Sequence, residues 1–239
     1  MSKEKIIVAL DVETAAEASE IIRNLKDEVG AFKIGLQLFT SAGGKFVRET
    51  VEAGIKVFLD VKFHDIPNTA AKASVEAAKL GVWMFNIHTL GGSEMMRRTV
   101  GEVREICEKE NLTPPKIIGV TVLTSANEHT LIEVGINQDS RTQVLNLTQL
   151  AFESGLDGVV ASPLEASSIK QKIPKEDFLV VTPGVRAKNK SGDIQFDDQK
   201  RILSPAEAIS AGADYLVIGR PILEAESPIL AVRQIVAGL

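Results

Sequence analysis

The chain has 239 residues, 44% of them hydrophobic, and a formal net charge of −5, which suits a large apolar core in one soluble domain and argues against nucleic acid or an acidic membrane as the main partner. Cys107 is the only cysteine, so an internal disulfide and a Cys/His zinc cluster are both excluded. An apolar strand begins within a few residues of Met1 and no apolar run approaches the ~20 residues that span a bilayer, so a cytosolic, cytoplasmic protein is expected.

Residues 5–10 form a short β-branched run that ends at Asp11, and Thr14 with Glu17 has the form of a capping box opening a helix to Val29. Gly30 closes that unit. Residues 31–36 predict a second strand carrying Lys33, residues 42–53 a helix, and residues 55–59 a strand leading, after Gly54, to Asp60. Side chains two apart on a strand share a face, so Asp60 and Lys62 are expected to point the same way. They emerge where the strand ends; Pro67 then breaks the regular backbone, and Asn68 or Thr69 can cap a helix running through Ala70, Ala73, Ala77 and Leu80 to Gly81.

Further strands are predicted at 82–88, 116–122, 156–161, 178–182 and 213–219. Gly30, Gly54, Gly81, Gly155 and Gly212 precede strands in the position of left-handed helix terminators. Eight strands alternating with helices imply a parallel sheet, and in a chain of this length they fit a single-domain (β/α)8 TIM barrel spanning residues 1–239. The competing open, doubly wound sheet usually carries a glycine-rich turn after its first strand, where this chain has Asp11, Val12 and Glu13. A barrel gathers every charged strand end on one rim, where barrel enzymes keep their chemistry.

An Asp and a Lys two apart are by default a simple ion pair. Here Asp65 lies in the same loop and Lys33 ends a neighbouring strand, which suggests an alternating charge network. Two long polar loops, 124–141 and 183–203, are candidate lids. The second contains Arg186, and Gly219 with Arg220 follows the eighth strand. Loops after strands seven and eight often hold phosphate, to which arginines add charge-assisted hydrogen bonds. His88 fits a hydrogen-bonded structural role at the rim, His64 an outward orientation and His129 a solvated one. Asp60 with Asp65 or Asp11 has the carboxylates for a divalent metal, but Lys33 and Lys62 neutralise that cluster.

Asp60, Lys62, Asp65, Ile66, Pro67, Asn68 and Thr69 together resemble, almost letter for letter, the signature of the orotidine 5′-monophosphate decarboxylase family in its shorter bacterial form. Asp11, Lys33, Thr124, the run from Pro183 to Arg186, Gln195, Gly219 and Arg220 each fall where that family's substrate contacts fall. The resemblance implies a homodimer that converts orotidine 5′-monophosphate to uridine 5′-monophosphate without metal or organic cofactor. It implies Lys62 as proton donor in a network with Lys33, Asp60 and Asp65, and Asp65 and Thr69 entering the partner's site. Asp11 and Lys33 would contact the ribose, Thr124 the pyrimidine, and Arg186, Gln195 and Arg220 the phosphate. Two alternatives stand beside it: a metal-dependent sugar-phosphate decarboxylase or aldolase on a related barrel, and a non-catalytic phosphate-ligand binder on the same scaffold.

Overall fold

The computed structural model describes residues 2–185 and 203–239. Its eight strands are β1 (Ile6–Ala9), β2 (Ala31–Gly35), β3 (Val57–Phe63), β4 (Met84–His88), β5 (Lys116–Val120), β6 (Gly158–Val160), β7 (Leu179–Pro183) and β8 (Tyr215–Ile218). They pair in parallel in sequence order, and β8 closes on β1 through Ile6 with Leu216, Ile7 with Val217 and Val8 with Ile218. The connecting helices are α1 (Ala15–Leu25), α2 (Leu36–Glu52), α3 (Pro67–Lys79), α4 (Gly92–Glu110), α5 (Glu128–Glu133), α6 (Ser140–Glu153), α7 (Ala166–Lys172), α8 (Pro205–Ser210), α9 (Arg220–Leu223) and α10 (Pro228–Ala237).

Strands buried on both faces are nearly all apolar, which is why they stand out in the sequence as uninterrupted runs. Their alternation divides the core in two. Ile6, Val8, Phe32, Ile34, Leu59 and Phe85 face the helices. Ile7, Phe58, Met84, Ile118, Val181 and Val217 fill the barrel interior. Trp83 and Tyr215, in edge-to-face contact at 5.1 Å between ring centroids, pack at the amino end of the strands. With that end filled, the open space lies at the carboxyl end.

The expected capping box at Thr14 and Glu17 is present, although α1 stops at Leu25 rather than Val29. Gly54, Gly81, Gly155 and Gly212 have the expected left-handed backbone. Gly30 does not, and its requirement is space: a Cβ there would lie 2.3 Å from the Glu4 carbonyl oxygen. Helix α2 begins at Leu36, ahead of the expected 42, and is kinked at Gly43, where φ is 71°. Neither Asn68 nor Thr69 caps α3. That helix starts at Pro67 with Ile66 as its cap, and the Asn68 side-chain oxygen accepts from Arg98 of α4 at 2.7 Å. The polar stretch after β5 is not all loop, since Asn127 caps the short helix α5 within it.

Candidate active site

β2 and β3 deliver the charges. Lys33 sits in the middle of β2 on the inward face, its side chain 9% exposed, with Nζ 3.1 Å from Asp11 Oδ1 and 3.4 Å from Asp60 Oδ2. Lys62 Nζ lies 2.6 Å from Asp60 Oδ1. The Asp60 side chain is only 14% exposed. Burial pushes its carboxyl up, but the Lys33 and Lys62 ammonium groups, with hydrogen bonds from Lys62 and Asn86, outweigh burial and hold it below the usual carboxylate range. Asp60 is therefore an ionised acid between two cations at neutral pH.

The side chains of Asp60 and Lys62 meet as expected, but the strand that carries them is not regular. Lys62 has φ 51°, a left-handed conformation that an L residue adopts only at a cost. The β3–β4 pairing is irregular at this point, with Leu59 opposite Phe85 and Phe63 opposite Ile87. Asp60, Val61 and Lys62 thus face the single residue Asn86. Asn86, which no motif or charge marks in the sequence, is fully buried. Its Nδ2 donates to Asp60 Oδ1 at 2.7 Å, and its Oδ1 accepts from the Lys62 backbone N–H at 2.8 Å. The available signal was a lone amide in an apolar run, in register with Met84 and His88.

The His64 and His88 rings stack with centroids 5.2 Å apart. His88 Nδ1 accepts from the Leu90 N–H at 3.5 Å. Burial, with the neighbouring His64 and Lys62, lowers the His88 pKa to about 4, so its ring is neutral at pH 7. His64 is exposed, as expected.

The network is smaller within one chain than the sequence suggested. Asp65 is exposed and its Oδ1 accepts from the Ile66 N–H at 2.7 Å; among the described residues no ion pair joins it to Lys33 or Lys62. Thr69 is exposed on the first turn of α3. Exposed Ile66, with 66% of its surface accessible, lies between them.

Asp11, Lys33, Asp60 and Lys62 form one wall of a cavity of about 230 Å³ at the carboxyl end of the strands. Val120, Val122, Val160 and Val217 give it apolar lining. Thr124, Pro183, Gly219 and Arg220 also border it. Gly219 packs closely on the charged wall, for a Cβ there would lie 3.2 Å from Asp11 Oδ2. Arg220 opens the short helix α9 and is exposed. Val185 and Leu203 pair as an isolated parallel bridge. Arg186 and Gln195 lie outside the described residues.

A closed (β/α)8 barrel with an acid–ammonium cluster recessed at the carboxyl end of its strands has the architecture of a barrel enzyme, a class that keeps its chemistry at that rim. The chain belongs to the orotidine 5′-phosphate decarboxylase / HUMPS family, whose pattern matches residues 4–235. The orotidine 5′-phosphate decarboxylase of Syntrophotalea carbinolica is 49% identical over 235 residues, covering 98% of this chain and 94% of that protein. The protein of the same name from Geobacter sulfurreducens is 50% identical over 229 residues, covering 95% and 92%. Among solved structures, orotidine 5′-phosphate decarboxylase from Lactobacillus acidophilus superposes with a TM-score of 0.84 at 34% identity, covering 98% of this chain and 97% of that one.

Proposed function

We propose that this protein decarboxylates orotidine 5′-monophosphate to uridine 5′-monophosphate and CO2, the last step of pyrimidine nucleotide synthesis, as a cytoplasmic homodimer with no metal or organic cofactor. One observation carries the reading. A lysine ammonium at the carboxyl end of the barrel is held 2.6 Å from an ionised, mostly buried aspartate that a second lysine also contacts.

Loss of CO2 breaks a carbon–carbon bond and leaves the electron pair in the plane of the pyrimidine, where the π system cannot take it up. Stabilisation has to come from charge placed outside the ring. The Lys62 ammonium supplies it and then transfers a proton to that carbon; solvent restores the lysine proton in the next cycle. Asp60, kept ionised, faces the departing carboxylate and disfavours the bound substrate more than the transition state. Asp11 and Lys33 bind the ribose, Thr124 the pyrimidine, and Arg220 with Arg186 and Gln195 the phosphate, while Pro183 and Gly219 shape the cavity edge. Binding energy from the remote phosphate is available to stabilise the transition state.

Asp65 and Thr69 complete the partner's site in this reading. It is supported by their exposure beside the uncovered Ile66, an apolar side chain that an interface would bury. The test is turnover of orotidine 5′-monophosphate by purified protein, followed as loss of substrate ultraviolet absorbance with and without EDTA. Chelator-insensitive turnover is expected. Absence of turnover, or EDTA-sensitive reaction of a sugar phosphate in its place, would overturn the proposal.

A further inference from the structure

We infer that Asn86 is the positioning residue that sets the Lys62 ammonium against Asp60, by tying both ends of the lysine through a single amide. The inference rests on the decarboxylase reading for its kinetic consequence and on geometry alone for the positioning.

Pairing between β3 and β4 resumes at Phe63 with Ile87 after Leu59 with Phe85, so three residues of β3 lie opposite one of β4. The irregularity presents the Lys62 N–H to a side chain, and Asn86 Oδ1 receives it at 2.8 Å. This bond holds Lys62 at φ 51°, a conformation with no intrinsic preference for lysine. The other end of the amide donates to Asp60 Oδ1 at 2.7 Å, the same oxygen that receives Lys62 Nζ at 2.6 Å. A closed ring results: amide oxygen to lysine backbone, lysine ammonium to carboxylate, carboxylate to amide nitrogen. The amide orientation is fixed chemically, because a backbone N–H needs the oxygen and a carboxylate needs the N–H2.

Asn86 is fully buried and both of its polar atoms are engaged. Alanine supplies neither bond. Aspartate has the same shape and keeps the acceptor, but its second oxygen meets Asp60 as a like charge unless it carries a proton. An aspartate at position 86 therefore recovers the donor only in acid.

The experiment compares wild type, Asn86→Ala and Asn86→Asp by kcat and KM for orotidine 5′-monophosphate across pH, by affinity for uridine 5′-monophosphate, and by hydrogen exchange of the Lys62 amide. For Asn86→Ala the expected results are a kcat loss of about 100-fold, product affinity within about threefold of wild type, and faster Lys62 amide exchange. For Asn86→Asp, kcat relative to wild type should rise as pH falls. If Asn86→Ala does not fold, the isosteric Asn86→Asp and its pH profile decide the matter. Wild-type kcat in Asn86→Ala, parallel losses of kcat and product affinity, unchanged Lys62 exchange, or an Asn86→Asp profile parallel to wild type would each overturn the inference. A wild-type protein without turnover would instead refute the decarboxylase reading, leaving amide exchange to decide whether Asn86 positions Lys62.

Discussion

Lys62 pays for its position in backbone conformation, and comparing two truncations measures the cost. Both Lys62→Ala and Lys62→Gly remove the ammonium 2.6 Å from Asp60, and both leave Asp60 with Lys33 and Asn86, so the lost ion pair cancels in the comparison. What remains is the backbone at φ 51°. A left-handed conformation costs an L residue about 1–2 kcal/mol, whereas glycine adopts it freely but loses about 0.5–1 kcal/mol more chain entropy on folding. Lys62→Gly should therefore be more stable than Lys62→Ala by roughly 0.5–1 kcal/mol. In a chain of this size that corresponds to about 1–4 °C in Tm, and it is read more securely from urea midpoints at equal m-values. Neither variant should decarboxylate. Equal stability, or greater stability of Lys62→Ala, would refute the claim that the fold holds Lys62 in a strained geometry for the sake of its ammonium.

Arg220→Ala should lower kcat/KM for orotidine 5′-monophosphate by about 10- to 100-fold and leave turnover of the phosphate-free nucleoside nearly unchanged; equal losses would make Arg220 structural. His88, with a folded pKa of about 4 against 6.5 unfolded, contributes stability that is fully present above pH 6.5 and lost as pH falls towards 4. That interval corresponds to about 3.4 kcal/mol, and the partly exposed ring reduces it to roughly 1–2 kcal/mol, so His88→Asn should lose less stability than wild type between pH 6.5 and 4 by that amount. An equal loss would contradict the burial argument. Mixing Lys62→Ala with Asp65→Ala subunits should restore activity towards about a quarter of wild type, because random exchange makes half the dimers mixed and each has one intact site. No recovery despite verified exchange would place Asp65 in its own subunit's site.

The barrel was legible because its signals are local. A strand buried on both faces reads as an apolar run, and a left-handed glycine before it, as at Gly54, Gly81, Gly155 and Gly212, marks the turn. Lys33, Asp60 and Lys62 were legible as charges within or just after such runs, and Asp60 meets both lysines. Contacts between distant parts of the chain left no comparable trace. Asn86 acts on residues 24 and 26 positions away across a pairing irregularity. Gly30 is required by Glu4, on the far side of β1. Asn68 resembles a helix cap, but its oxygen accepts from Arg98. The spacing of Asp60 and Lys62 suggested that they share a face, and they do meet, but nothing in it announced the left-handed Lys62 backbone.

In the proposed reaction Lys62 acts on the transition state and not on binding. Its most direct test is Lys62→Ala, with decarboxylation of orotidine 5′-monophosphate and affinity for uridine 5′-monophosphate measured on the same preparation. Turnover should fall by more than about 1000-fold with product affinity within about tenfold of wild type, because charge stabilisation and proton delivery are lost while the phosphate contacts stay. Turnover within about tenfold of wild type, or a loss matched by equal loss of product affinity, would contradict it.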